Sequence, residues 1–330
     1  MTDSAPSGGL LLVHAHPDDE VLSTGGTIAR TVAEGRRVDL VVCTGGEEGE
    51  IHDPDLDPAE AQPRLGEIRE AELRCSLAAL GVAAPHSGGI LQEHLLRYRD
   101  SGMMGTPPND HPDSFWQADL ERVVEGTVHF IRTVRPSVVV HYDQNGGYGH
   151  PDHIQAHRLA VAACAAAADP DRYPDAGPPH RIRKRYETAF SRERWLGLMV
   201  AMNARGIGLP WDFEEEVVRL AAGRPLEDLY PADVEALRQV GEALAEGEPA
   251  EGFGTSESAL TTHVDVSGWL DAKRAAMACH RTQRQDLGWA LELPEDLQTA
   301  ALGLEVYVLR EWDGAPPPPV TGETTLFAGL

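Results

Sequence analysis

Two short, continuously apolar runs, GLLLVHA (residues 9 to 15) and RVDLVVCT (37 to 44), are separated by the helical pattern TGGTIARTVAEGRR. Apolar runs of this length read as buried strands, so the segment predicts a βαβ unit. After the loop GGEEGEIHDPDLDP, the pattern GEIREAELRCSLAALGV predicts a long helix ending at Gly81. A third strand is expected at 85 to 91, and an amphipathic helix over 116 to 134, broken before Pro136. SVVVHYD (137 to 143) is the next strand, and the Ala-rich IQAHRLAVAACAAAA is the helix after it. Strands alternating with helices imply an α/β, Rossmann-like, mainly parallel sheet flanked by helices with right-handed crossovers.

The Pro-rich stretch DPDRYPDAGPPHRIRK (169 to 184) divides a core at 1–168 from a smaller C-terminal elaboration at 169–330. The latter is expected to complete the sheet, through YETAF and ALTTHVDV, and to shape a substrate pocket in one compact unit. An acidic helical insert over roughly 191 to 250 has no assignable role.

Composition removes several classes of function. A net charge of -25 argues against nucleic acid, whose phosphates need surplus Lys and Arg. No apolar run approaches the roughly 18 residues of a membrane span. MTDSAPSGG lacks the basic and apolar regions of a secretory leader, and Cys43, Cys75, Cys164 and Cys279 form no CxxC pair. Both features fit a cytoplasmic chain with reduced thiols better than a disulfide frame. No GxGxxG or Walker sequence is present, and Gly25 and Gly26 are expected to let the first helix approach the sheet closely. Homo-oligomerisation has no sequence signal.

The chemistry gathers at two strand ends. HPDDE (16 to 20) follows the first strand and NGGYGHPDH (145 to 153) follows SVVVHYD. In open α/β sheets ligands bind outside the carboxyl ends of strands, so both clusters reach one rim. His16, Asp19 and His153 fit the ligand set of a catalytic zinc site with an open position for water. Asp18 then stays free as a general base, although spacing alone leaves the exchange of Asp18 and Asp19 open. Asp and Glu after a strand also cap the following helix, which accounts for Glu20 but not for a His beside two adjacent carboxylates. His150 reads as a general acid with Asp152 orienting it and favouring its charged form. Tyr148 reads equally as an oxyanion donor or an ordinary turn aromatic, and His157 as a packed helical His.

HAHPDDE and GGYGHPDH, with TGGEEGE, YRDSGMMGT and RPSVVVHYDQNGGYGHPDH, resemble the PIG-L/LmbE-like family of zinc-dependent N-deacetylases. The resemblance covers about the first 165 residues well and is thinner beyond, where AMACHRTQ and LEVYVL echo the family. It implies removal of acetate from an N-acetylglucosaminyl conjugate, a small-molecule substrate, with the myo-inositol conjugate of mycothiol biosynthesis as the leading candidate. It assigns His16, Asp19 and His153 as metal ligands and Asp18 as base, which resolves the exchange. Zinc is the implied metal, with Fe2+ as the alternative. His150 becomes the acid or electrostatic partner, Asp152 its orienter, and Tyr148 a mobile oxyanion donor. Arg69 and Asp100 match sugar- or inositol-binding positions, and Ser23 stands where the related mycothiol S-conjugate amidases carry Lys. Those amidases, a deacetylase of secondary metabolism and a noncatalytic Rossmann-like binding module are the competing expectations.

Overall fold

The computed structural model describes residues 8–81, 91–208, 254–317, 319 and 322–330. In chain order its main elements are β1 (Leu10–His14), α1 (Asp19–Ala33), β2 (Val38–Thr44), a single turn α2 (Pro58–Ala61) and α3 (Leu65–Ala79). They continue with β3 (Leu91–Tyr98), α4 (Leu120–Val134), β4 (Val138–His141), α5 (Pro151–Ala168), β5 (Lys184–Ala189) and α6 (Arg192–Ala204). β6 (Thr262–Asp265), α7 (Leu270–Cys279), α8 (Arg284–Leu291), α9 (Glu295–Leu302) and β7 (Leu304–Trp312) follow. The strands form one seven-stranded sheet in the order β3-β2-β1-β4-β5-β7-β6. β3, β2, β1, β4 and β5 run parallel, and β7 is antiparallel to both of its neighbours.

β1 shows why Leu10, Leu11, Leu12 and Val13 are all apolar. Leu10 and Leu12 enter a core with Val38, Leu40 and Val42 of β2, Ile28 of α1, Leu73 and Leu77 of α3 and Met277 of α7. Leu11 and Val13 enter the opposite core with Val41, Val128 and Ile131 of α4 and Leu159 and Ala163 of α5. Successive side chains point to opposite faces of a strand, so a strand covered on both sides buries all four of them. Local signals set the helix ends. The Asp119 side chain accepts from the Glu121 N–H at the start of α4, and Arg135 closes that helix at φ 52, just before Pro136. Gly81 follows α3 at φ +79, in the left-handed region open to glycine.

Residues after 168 add β5, β6 and β7 to the same sheet. They also fasten α1. The Glu305 carboxylate accepts the N–H groups of Gly26 at 2.8 Å and Thr27 at 2.7 Å, and the Lys273 ammonium at 2.7 Å. A Cβ on Gly26 would lie 2.5 Å from Val266, so the close approach expected of this glycine is to the segment after β6.

Two expectations meet different outcomes. The strand expected at 85 to 91 falls on residues that, up to 90, lie outside the described ones, and the described strand β3 begins at Leu91. Of the acidic insert, α6 is helical as expected, and 209 to 253 lie outside the described residues. The all-thiol expectation is corrected. Cys75 of α3 and Cys279 of α7 form a disulfide, with Cα atoms 5.7 Å apart and a sequence separation of 204. Cys43 and Cys164 are free and buried. No spacing rule could have found a pair that only the packing of α3 on α7 creates.

Candidate functional site

β1 and β4 are neighbours in the sheet, and each delivers its polar segment to the same rim. After β1 the chain runs through His16 and Pro17 and enters α1 at Asp19. After β4 a glycine-rich turn leads to His150, which caps α5: its Nδ1 accepts the Asp152 N–H at 3.2 Å. Pro151 occupies the first position of α5, where a missing N–H costs nothing. His153 then stands within the first turn, facing HPDD.

Three side chains close a triangle there. His16 Nδ1 lies 3.2 Å from His153 Nε2 and 3.4 Å from Asp19 Oδ2, while Asp19 Oδ1 lies 3.4 Å from His153 Nε2. Tetrahedral bonds of about 2.0–2.1 Å place ligand atoms about 3.3–3.4 Å apart, close to each of these separations, with the two that reach Asp19 ending on different oxygens of its carboxylate. The other ring nitrogens are committed: His16 Nε2 faces Asp152 Oδ2 at 3.3 Å, and His153 Nδ1 faces the Gly146 carbonyl at 3.1 Å. Donating a proton to these acceptors leaves a lone pair on His16 Nδ1 and on His153 Nε2, the two atoms that face each other. His150 also comes within reach. Ligand atoms of His16, His150 and His153, and of His16, Asp100, His150 and Asp152, lie within 4.8 Å of one another. The cluster is able to bind a metal, and Asp19 borders it through its two carboxylate oxygens.

Electrostatics divides the groups. Burial opposes a charge on His16, but Asp100, Asp152 and Asp19 outweigh it and raise its pKa. That surplus of negative charge is what a cation would meet. Burial brings His153 down to about 4 despite Asp19, so its imidazole is neutral, as a ligand requires. Burial, resisted by the Arg69 guanidinium and reinforced by the Asp19 carboxylate, pushes Asp18 up to about 6, into the range useful for a base. Asp18 also carries backbone strain. Its φ of 120 and ψ of -27 lie where an L-residue pays about 1–3 kcal/mol.

Several residues sit differently from expectation. Asp152 does not orient His150 with its carboxylate. That carboxylate accepts from His16 Nε2, from the Ser101 N–H at 2.9 Å and from the Ser101 hydroxyl, because α5 turns the side chain toward β1. The charged form of His150 is not favoured either: burial and the neighbouring His16 and His153 lower it to about 3. Its nearest carboxylate is Asp100, at 4.0 Å. Arg69 is buried and grips its own chain, with Nη2 2.7 Å from the Pro17 carbonyl and 3.0 Å from Asp18 Oδ2, and Nη1 2.8 Å from the Gly46 carbonyl. Asp100 accepts the Gly102 N–H at 2.8 Å and lies 3.7 Å from His16 Nε2.

Tyr148 is 56% exposed over the cluster, its ring centroid 5.0 Å from that of His153. Ser23 sits one turn along α1, where its carbonyl accepts the Tyr307 hydroxyl at 3.2 Å. His157 packs as expected, Nδ1 on the Tyr142 carbonyl at 2.9 Å.

Three contributors carried no assigned role in the sequence. Ser101 follows Asp100 within YRDSGMMGT and holds Asp152. Tyr142 stacks on His153, centroids 4.2 Å apart, and its hydroxyl accepts the Ala15 N–H at 2.8 Å. Its place directly before Asp143 and NGGYG was the available signal. Glu20, expected as a helix-turn residue, is fully buried.

Residues 11–164 match the family model described as PIG-L, GlcNAc-PI de-N-acetylase. A relative in Geodermatophilus obscurus named 1D-myo-inositol 2-acetamido-2-deoxy-alpha-D-glucopyranoside deacetylase is 42% identical, over 98% of this chain and 99% of its own. One of the same name in Thermobifida fusca is 40% identical over 97% and 98%. Among solved structures, N,N'-diacetylchitobiose deacetylase from Pyrococcus horikoshii superposes with a TM-score of 0.52 at 17% identity, covering 92% of this chain and 83% of that one. At that identity the likeness speaks for the fold alone.

Proposed function

The chain belongs to the PIG-L family of de-N-acetylases, and from that membership we propose that it hydrolyses the acetamide of 1D-myo-inositol 2-acetamido-2-deoxy-α-D-glucopyranoside. The carrying observation is identity of about 40% sustained over nearly the whole chain to relatives of that name. It extends through the C-terminal part, which sits against α1.

His16, Asp19 and His153 would hold the metal, and two imidazoles with one carboxylate suit zinc and Fe2+ alike. Bound there, the ion supplies Lewis acidity toward the amide carbonyl and toward water. Asp18 takes the proton of the attacking water, its carboxylate kept beside Asp19 by Arg69. His150 accepts a backbone N–H on Nδ1 and so carries its own proton on Nε2. It can therefore donate a hydrogen bond to the developing oxyanion while neutral, as a buried imidazole prefers. Tyr148, exposed at the rim, donates from the other side. The leaving amine takes its proton from Asp18, and acetate and the free amino sugar result.

The test is purified enzyme with its metal quantified, incubated separately with N-acetylglucosaminyl-inositol and with a mycothiol S-conjugate. Release of one acetate per free amine from the first, at a kcat/KM well above the second, is expected. Cleavage of only the S-conjugate overturns the substrate, and turnover unaffected by exhaustive chelation overturns the chemistry.

A further inference from the structure

Glu20 is the second residue of α1, a place where an acid usually faces solvent and complements the helix dipole. Here its carboxylate is fully buried and shared among three segments. Oε2 accepts the Asp18 N–H at 2.9 Å. Oε1 accepts the Ser76 hydroxyl of α3 at 2.6 Å and faces His280 Nε2, just past α7, at 2.9 Å. A charge removed from water needs this degree of pairing to persist, and a simple helix start needs none of it. The arrangement also leaves the buried Nδ1 of His280 without a partner among the described residues. Stability alone would not favour such a pair.

We propose that Glu20 and His280 are positioning residues for Asp18, and this rests on the reading of Asp18 as the base. Asp18 is held in its strained backbone conformation from two sides. Arg69 takes its carboxylate and the preceding carbonyl, and Glu20 takes its N–H. Releasing the N–H lets φ relax toward ordinary values and swings the carboxylate away from the His16–Asp19–His153 triangle. Glu20 is itself fixed through its other oxygen. The two side chains that meet Oε1 each follow a half-cystine of the Cys75–Cys279 bridge, so their segments are covalently tied. The C-terminal part thereby reaches the base without touching it.

The experiment compares metal-loaded wild type, E20L, E20Q, H280L, H280Q and D18A, and the double variant D18A/E20L. Each is measured for metal content, thermal midpoint, kcat and KM. Positioning predicts that E20L and H280L keep stoichiometric metal and near-normal KM while kcat falls about 10²-fold. E20Q, whose amide oxygen can still accept the Asp18 N–H, and H280Q, which can still donate to Glu20, recover much of the loss. E20L adds nothing to the residual rate of D18A, because the two changes disable one group. Wild-type kcat in folded E20L and H280L overturns the proposal while leaving the base intact. An equal fall in both backgrounds reduces the pair to scaffold. Normal turnover by D18A overturns the base reading, and this one with it.

Discussion

His16 Nδ1 and His153 Nε2 face each other at 3.2 Å across 137 positions of sequence, each with its opposite ring nitrogen already bound to an acceptor. Both tautomers are thereby set with lone pairs pointing at one spot, and Asp19 supplies the third corner.

The proposed ligand set and base separate binding from chemistry in a testable way. H16A or H153A should lose the metal and the activity together. D18A should retain one metal per chain and lose about 10²–10⁴-fold in kcat, the usual worth of a general base. Metal analysis on the same preparations used for kinetics checks this, and normal turnover in D18A would count against the scheme.

The Asp152 carboxylate meets His16 Nε2 at 3.3 Å, on the side of the ring away from His153. D152N keeps an acceptor but removes the charge that makes His16 the stronger ligand, so metal affinity should weaken about 10–100-fold. Competition against a chelator of known affinity measures it; a change in turnover alone, at unchanged affinity, would contradict the assignment.

Glu257 ties the start of α6 to β6, with Ser191, Arg194 and His263 around it. Burial works against its charge, but the bonds to His263, Ser191 and Arg194 prevail and lower it to about 2 from an ordinary 4.5. A depressed acid adds stability above its unfolded pKa, and that stability drains away as pH falls from about 4.5 toward 2. After allowance for solvent screening, E257Q should cost about 1–2 kcal/mol at neutral pH and progressively less in acid. Denaturant unfolding across that interval tests the sign; a pH-independent difference would show that the charge is not the cause.

The cysteines give a count. Native protein should show no reactive thiol, since Cys43 and Cys164 are buried, and unfolded unreduced protein should show two. Replacing Cys75 with Ser should lower stability by about 2–4 kcal/mol. Four titratable thiols in the unreduced, unfolded chain would refute the bridge.

Much of this was legible in the sequence because the signals are local. A run such as LLLVH, short and bounded by Gly9 and a polar segment, reads as a strand covered on both faces, and HPDD and GHPDH announce helices that begin at a rim. The pair His16 and Asp19, three residues apart, comes together across the turn at Pro17 and Asp18 and not on a helical face, since α1 begins only at Asp19. Where expectation failed, the deciding partner came from elsewhere in the chain. Asp152 lies two residues from His150, yet α5 aims its carboxylate at β1. Nor does any local pattern announce the partners of Arg69, whose fork meets the carbonyls of Pro17 and Gly46.

The sequence by itself determined the alternation of strands and helices, the two polar segments at strand ends and the residue types a metal requires, because each depends on spacing within a few residues. The tertiary structure alone decided which groups pair across distance: Asp152 with His16, Cys75 with Cys279, and Glu20 with His280. Buried charges and half-cystines take whatever partner packing brings within reach, and packing is a property of the whole sheet and its covering helices, not of any one stretch of chain.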